Sequence, residues 1–380
     1  MKIEQFEMER TQSLYEHAVD YNLAESGVSP LSVNDLVSAE TLAELAAMPL
    51  CYPEGMGSEL LRERIALFYD NATADNIVVT NGGSEANYIA LQALLEPGDR
   101  VACMIPNYLQ TWGLARAYSE RTDAFHLVES RGGDSARWAL DLDSLAAAVS
   151  PATGMITVTN PNNPSGAVLD EAELEALVEA ARRADAWLVF DEIYRGTELE
   201  GGTCPSIWDR YDKAIVTSGL SKAFAMPGLR IGWTVAPEPA TQQMMRYRDY
   251  TTLTPNLLAD RLARIAMEPT KRDEILDRSK SIVRSQLPRL VEWVDSHEEL
   301  SMIPPAAAAI GMIAYDLPIE SGELCEKLRT ERSVLITPGS HFGVGDYFRV
   351  GYGYDIDKTC RGLALISEAI AQLRPVIATP

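Results

Sequence analysis

Thr217-Ser218-Gly219-Leu220-Ser221-Lys222-Ala223-Phe224-Ala225-Met226-Pro227-Gly228-Leu229-Arg230 begins where the apolar, mostly β-branched run Ala214-Ile215-Val216-Thr217 gives out. One lysine stands among small residues, an arginine follows eight positions on, and Ile231-Gly232-Trp233 resumes the apolar pattern. Small neighbours leave room for a bulky partner at the amine, which Schiff-base chemistry requires. Two readings stand side by side: an incidental lysine in a strand-end loop, or a lysine that bonds a carbonyl compound. The rest of the chain has to separate them.

Working outward, the same unit recurs. Ile77-Val78-Val79-Thr80 reads as a strand, Asn81-Gly82-Gly83-Ser84-Glu85 as a turn into a helix, and Arg100-Val101-Ala102-Cys103-Met104-Ile105 as the next strand. Met155-Ile156-Thr157-Val158-Thr159 precedes a helix over 171–184, and Ala186-Trp187-Leu188-Val189-Phe190 leads to Asp191. Short, nearly continuous apolar strands between helices predict an α/β fold: a mostly parallel central sheet with helices on both faces. In such sheets, functional groups gather at the carboxyl ends of the strands. The pattern turns long and helical over about 240–295. Strand-like runs return at Gly311–Tyr315, Ser333–Thr337 and Tyr347–Gly351, before a last helix at about 357–373. We therefore expect an N-terminal arm (1–45) that joins a smaller α+β domain (276–380), and a large domain (46–275) between them.

Composition narrows the function. The chain has 380 residues, is 46% hydrophobic and carries a formal net charge of -22. That acidity argues against nucleic-acid binding by a basic face and against attraction to anionic membranes. The N-terminus has no apolar signal core, and no apolar run reaches the roughly 18 residues of a membrane span. Five scattered cysteines and four scattered histidines suggest reduced thiols in a cytoplasmic protein, with no disulfide frame and no metal site.

Several other strand ends carry polar groups. Gly82-Gly83-Ser84-Glu85 is either a plain turn or a helix N-terminus that receives an anion. Asp191 follows a wholly apolar strand, as a helix N-cap or as the partner of a cation. Tyr194 can reach the same space. Asn160-Pro161-Asn162-Asn163-Pro164-Ser165-Gly166 is a stiff double-proline turn, and Tyr108 puts an aromatic at another strand end. One ligand accounts for all of them: a flat heterocycle with a phosphate, an aldehyde, a phenolic oxygen and a basic ring nitrogen, which is pyridoxal phosphate.

With those residues in view, the chain resembles the class I/II aminotransferases, the aspartate-aminotransferase-like, fold type I pyridoxal-phosphate enzymes, from about Leu23 to the final helix. Ser221-Lys222 with Gly228-Leu229-Arg230-Ile231-Gly232 looks like the family's Schiff-base lysine and phosphate arginine. Asp191-Glu192-Ile193-Tyr194 looks like D-E-x-Y, and Asn163-Pro164-Ser165-Gly166 like N-P-[ST]-G. Tyr52 through Gly57 to Leu61-Arg62 looks like Y-x₄-G-x₃-L-R. Pro338-Gly339-Ser340-His341-Phe342-Gly343 followed by Arg349 looks like P-G-x-x-F-G with the carboxylate arginine.

The resemblance implies roles position by position. Lys222 holds the cofactor and shuttles the Cα proton, Asp191 keeps the ring nitrogen protonated, and Tyr194 with Asn163 binds the phenolic oxygen. Tyr108 stacks on the ring. Arg230, Ser221 and the Gly83-Ser84-Glu85 backbone bind phosphate, and Tyr52 reaches the phosphate of a neighbouring subunit in a homodimer. Arg349 grips the substrate carboxylate, beside Asn163.

The chain also departs from the pattern. Gly219 stands where many relatives have serine, which leaves Ser218 as the alternative phosphate contact. Pro305-Ala306-Ala307-Ala308 replaces a P-x-G-G segment, and Leu23-Ala24-Glu25-Ser26-Gly27 differs from the usual glycine-led loop. The implied reaction is amino-group transfer between an α-amino acid and a 2-oxo acid. The alternative is elimination, replacement or cyclisation, as in 1-aminocyclopropane-carboxylate synthase-like or capreomycidine synthase-like relatives. For the substrate side chain, Arg116, Arg246 and Arg248 are candidate partners of an acid, and Tyr15, Trp112 and Tyr250 of an aromatic group.

Overall fold

The computed structural model describes residues 3–132 and 136–373. The first two residues of the expected arm and the last seven of the expected small domain lie outside them. The chain opens with α1 (Glu7–Tyr15), β1 (Tyr21–Asn22), the short helices α2 (Val33–Leu36) and α3 (Ala39–Ala47), and α4 (Glu59–Ala66). There follow β2 (Ile77–Thr80), α5 (Gly83–Leu94), β3 (Arg100–Ile105), α6 (Gln110–Tyr118), β4 (Arg121–Ser130), β5 (Arg137–Leu140) and α7 (Leu142–Ala148). Then come β6 (Thr153–Thr159), α8 (Glu171–Ala184), β7 (Trp187–Asp191), β8 (Ala214–Gly219) and β9 (Gly232–Val235). Helices α9 (Glu238–Arg248), α10 (Leu257–Ala266) and the 27-residue α11 (Pro269–Asp295) lead to the last part. That part comprises β10 (Leu300–Met302), β11 (Ile310–Tyr315), α12 (Ser321–Arg332), β12 (Val334–Leu335), β13 (Thr337–Pro338), β14 (Tyr347–Gly351) and α13 (Ile356–Leu373).

Eight strands form the large sheet in the order β2-β9-β8-β7-β6-β3-β4-β5. The pairs from β8 to β4 are parallel, while β2, β9 and β5 join antiparallel. The sheet is mostly parallel, as the strand–helix alternation predicts. Its apolar strands serve both faces because alternate side chains point opposite ways. Val101, Cys103, Met155, Val189 and Ile215 pack under α5, while Ala102, Met104, Ile156, Val158, Leu188, Phe190 and Val216 pack with α8. Each large aliphatic side chain buried this way contributes roughly 1.5–3 kcal/mol. Helix α8 starts firmly because Asp170 and Glu173 form a reciprocal capping box.

Strands β4 and β5 are not evident in the sequence. They lie at the sheet edge, where β4 buries only Phe125 and Leu127 among exposed polar neighbours. An edge strand covered on one side lacks the continuous apolar run that marks the central ones. Asp191 also differs slightly from expectation. It is the last residue of β7, in parallel register with Thr159 of β6 and Thr217 of β8.

The smaller sheet is antiparallel, in the order β10-β11-β14-β13. Strand β1 pairs in parallel with β12, and Leu23 and Val28 pack into the same apolar cluster as β14 and α13. Helix α11 spans the two cores. Ile275 and Leu276 pack with the large sheet, and Val283, Leu290 and Val294 with the small one. The boundary expected at 275/276 thus falls inside a continuous helix. Among the described residues, no helix is long and apolar enough to cross a membrane.

Candidate active site

The carboxyl ends of β6, β7 and β8 open onto a cavity of about 560 Å³, bordered by Thr159, Asp191 and the Lys222 loop. Helix α1 and the 23–27 loop form another part of its wall. Of the residues singled out in the sequence, Gly83, Ser84, Tyr108, Asn163, Asp191, Tyr194, Ser221, Lys222 and Arg230 all border it.

Each is positioned by identifiable contacts. Lys222 follows the end of β8, and its Nζ makes no hydrogen bond or ion pair among the described residues. Asp191 is held at both oxygens: Asn87 Nδ2 donates to Oδ2 at 3.0 Å, and the Ile193 N–H to Oδ1 at 3.0 Å. Burial raises its pKa from the ordinary 3.8 to about 6, against the opposing pull of these donors and of Lys222. Thr217 Oγ1 donates to Asn87 Oδ1 at 2.6 Å, so Asn87 is itself oriented. Asn87 was not singled out in the sequence. Its only signal is a polar residue among the buried Ala86, Ile89, Ala90 and Leu91 of α5.

Helix α5 begins at Gly83 with no side chain capping it. Its first N–H groups have no intrahelical partner, so this end favours an anion. Gly82 has φ +99°, and a Cβ there would fall 2.4 Å from Arg230 Nη2. The missing side chain is what lets the guanidinium lie against the helix start. Arg230 adopts the left-handed conformation, φ 52°, and donates from Nη1 to the Pro227 carbonyl at 3.0 Å. Glu85 turns elsewhere: its carboxylate accepts from the Asn81 N–H at 2.5 Å and from Thr252 Oγ1 at 2.5 Å.

Tyr194 Oη donates to Ser26 Oγ at 2.9 Å. Tyr108 Oη donates to Glu9 Oε1 at 2.8 Å, and its ring meets Phe6 edge-on at 4.9 Å. Helix α1 is therefore tied directly to the cavity wall, which the acidic N-terminal pattern did not suggest. Arg349 lies behind Asn163, only 1% exposed. Its Nη1 donates to Asn163 Oδ1 at 2.8 Å, and its Nη2 to Thr337 Oγ1 at 3.2 Å and to the Ala24 carbonyl. Nε is buried without a partner, and no carboxylate among the described residues forms an ion pair with the guanidinium. Burial lowers its pKa from the ordinary value, against the opposing pull of the Glu25 and Glu9 carboxylates.

These groups fit pyridoxal phosphate. A glycine-lined helix start with a guanidinium beside it suits a phosphate. A half-buried carboxylate held by neutral donors suits a ring N–H, and an unengaged amine in the same cavity suits an aldehyde.

Ser218 is not free to replace the serine missing at position 219, because its buried hydroxyl donates to the Glu192 carbonyl at 3.2 Å. A Cβ at Gly219 would fall 2.8 Å from the Ile231 oxygen, so the tight β8–β9 approach favours glycine. Ala308, in the segment where relatives carry glycines, adopts φ 66° and is pinned by Thr197 Oγ1 and Tyr352 Oη. A left-handed alanine costs about 1–2 kcal/mol. Tyr52 is 81% exposed and lies outside the cavity of its own chain.

The residues considered for side-chain recognition do not border the cavity either. Arg116 lies 3.5 Å from Glu4, Arg246 is exposed, and Arg248 is buried and donates to the Val79 carbonyl. Tyr15, Trp112 and Tyr250 are likewise absent from its wall.

The family model for aminotransferase class I and II matches residues 22–364. Capreomycidine synthase from Streptomyces vinaceus is 31% identical over 316 residues, 83% of this chain and 79% of that protein. A PLP-dependent aminotransferase from Streptococcus suis superposes with a TM-score of 0.91 at 30% identity, covering 99% of this chain and 100% of that one. A PLP-dependent cyclase, OrfR, superposes with a TM-score of 0.87 at 27% identity, covering 98% of each chain.

Proposed function

The chain belongs to the aminotransferase class I and II family and is a pyridoxal-phosphate-dependent enzyme, and from that premise we propose that it moves an amino group between an α-amino acid and a 2-oxo acid. The observation that carries this reading is the convergence of Lys222, Asp191 and Asn163 on one cavity, with Arg349 held directly behind Asn163. When bound, the cofactor supplies an aldehyde for the amino group and a ring that draws electron density from Cα.

The chain's own residues do the rest. Lys222 Nζ holds the cofactor and then carries the proton to and from the substrate Cα. Asp191, oriented by Asn87, keeps a proton on the ring nitrogen. Tyr194 and Asn163 bind the phenolic oxygen, and Tyr108 covers the ring. Arg230, Ser221 and the backbone of Gly83, Ser84 and Glu85 would hold the cofactor's phosphate. Arg349 takes the substrate carboxylate through its donors and so orients the bond at Cα. We place the domains at 1–45, 46–275 and 276–380, joined through the continuous helix α11, with the arm supported by the β1–β12 pairing. The active unit is a cytoplasmic homodimer in which Tyr52 serves the neighbouring subunit. The exposed Leu50, Tyr52 and Tyr250 supply apolar surface for such a contact.

A second reading has its own support. The similarity to capreomycidine synthase and to a PLP-dependent cyclase favours a reaction in which the amino acid cyclises or eliminates. The same residues serve both outcomes, because both begin with loss of a bond at Cα. Incubating the cofactor-loaded protein with α-amino acids and 2-oxoglutarate separates them. Glutamate formed together with a new 2-oxo acid supports transfer, and ammonia or a cyclic amino acid supports the second reading. Absence of all these products overturns both.

Arg349→Lys provides a further check. Loss of the planar fork is expected to raise KM for the amino acid on the order of 10²-fold. Uptake of cofactor, followed by absorbance, should change little. Equal loss of both would remove the carboxylate role.

A further inference from the structure

The 23–27 loop is fastened at nearly every residue. The Ala24 carbonyl accepts from Arg349, and Ser26 Oγ accepts from Tyr194 at 2.9 Å. The Glu25 carbonyl lies so close to β14 that a Cβ at Gly351 could not fit beside it. At Gly27, a Cβ would fall 3.6 Å from the Ser221 carbonyl and 3.9 Å from Lys222 Cδ. The backbone is therefore held against the lysine loop, and this is where the sequence departs from the family's glycine-led pattern.

One side chain in this loop is left over. The Glu25 carboxylate is half-buried, borders the cavity, and makes no hydrogen bond or ion pair among the described residues. Two further carboxylates share the same wall. Glu9 is engaged by Tyr108, and Glu16 by His17 at 3.3 Å. Arg349, behind the wall, attracts the Glu25 carboxylate without forming an ion pair with it, and the cations on the wall itself are accounted for. Lys222 and Arg230 belong to the cofactor, and the His17 side chain is 93% exposed. A carboxylate partly withdrawn from water is costly until a cation meets it, and it repels another carboxylate.

We propose that Glu25 determines specificity, and that the amino acid taken by this cavity carries a guanidinium or ammonium group on its side chain. This rests on the reading above that the cavity takes an α-amino acid. Arg349 orients the main-chain end, and Glu25 receives the side-chain cation in a charge-assisted hydrogen bond. Arg116, Arg246 and Arg248, the candidate partners of an acidic side chain, do not border this cavity.

The test compares arginine with its neutral isostere citrulline, and lysine with norleucine. Consumption by the cofactor-loaded protein is followed by mass spectrometry, and binding by calorimetry. In the intact protein at least one cationic amino acid should exceed its isostere in kcat/KM by at least about tenfold, mostly through KM. Glu25→Gln should reduce that ratio by about tenfold, and Glu25→Asp should restore part of it. Circular dichroism and cofactor absorbance establish that the variants are folded and loaded. Equal use of cationic and neutral partners, or an unchanged ratio in Glu25→Gln, overturns the role of Glu25 and leaves the proposed function standing. If no amino acid of any kind is bound or consumed, the reading of the cavity falls and this proposal falls with it.

Discussion

Lys222→Ala is expected to reduce turnover by at least about 10⁴-fold, because it removes both the covalent anchor and the proton carrier. The cavity itself should survive. Lys222 makes no hydrogen bond or ion pair that other residues depend on, and its loop is held by backbone bonds, including Leu220 N–H to Ile231 O at 2.9 Å and Met226 N–H to Leu220 O at 2.8 Å. The variant should therefore fold and still bind cofactor without bonding it. Borohydride treatment followed by peptide mass spectrometry measures this directly. The intact protein should carry the reduced cofactor on the peptide containing Lys222, and the variant should carry none. An adduct on another lysine would refute the assignment.

Asp191→Asn should cut turnover by about 10³-fold, within the range seen when one electrostatic stabiliser is removed. Stability should move the other way. Burial raises the Asp191 pKa from 3.8 to about 6, so between those values the folded chain keeps a proton that the unfolded chain has lost. The stability this group contributes is therefore present below about pH 3.8 and falls as pH rises towards 6. At pH 7 the cofactor-free protein bears a cost from this carboxylate. Asparagine keeps an oxygen for the Ile193 N–H and carries no charge, while its amide nitrogen faces the Asn87 Nδ2 donor and offsets part of the gain. The cofactor-free variant should consequently melt at a higher temperature than the parent at pH 7, and the gain should shrink on acidification. Calorimetry across that range would show it. An active site that holds a destabilised group for a function is a recurrent compromise.

Much of the site is legible in the chain because the fold places its chemistry at strand ends. Asp191, Lys222, Tyr108 and Asn163 each follow or end an apolar run that reads as a central strand, and all border the cavity. What is not legible is contributed across the fold. Asn87 looks like an ordinary helical residue until it is found beneath Asp191. Glu9, Ser26 and Glu25 sit in an acidic N-terminal segment whose local pattern suggests only a solvated helix and a loop, yet they complete the cavity wall. Strands β4 and β5 are hidden for a related reason. Their periodicity is diluted at an edge where one face needs little apolar cover.

The sequence by itself determined the alternation of strand and helix, the carboxyl-end placement of the lysine loop, and the family pattern of its motifs. Those follow from local periodicity and from turn residues, which act over a few positions. Only the tertiary structure decided which groups meet. Arg349 and Asn163 are 186 residues apart in the chain and 2.8 Å apart in space. Asp191 and Asn87 are separated by 104 residues and joined by one hydrogen bond. Such pairings depend on strand order and on how the N-terminal segment docks against the small domain. No local pattern encodes them, because each is fixed by the burial of surfaces that come from distant parts of the chain.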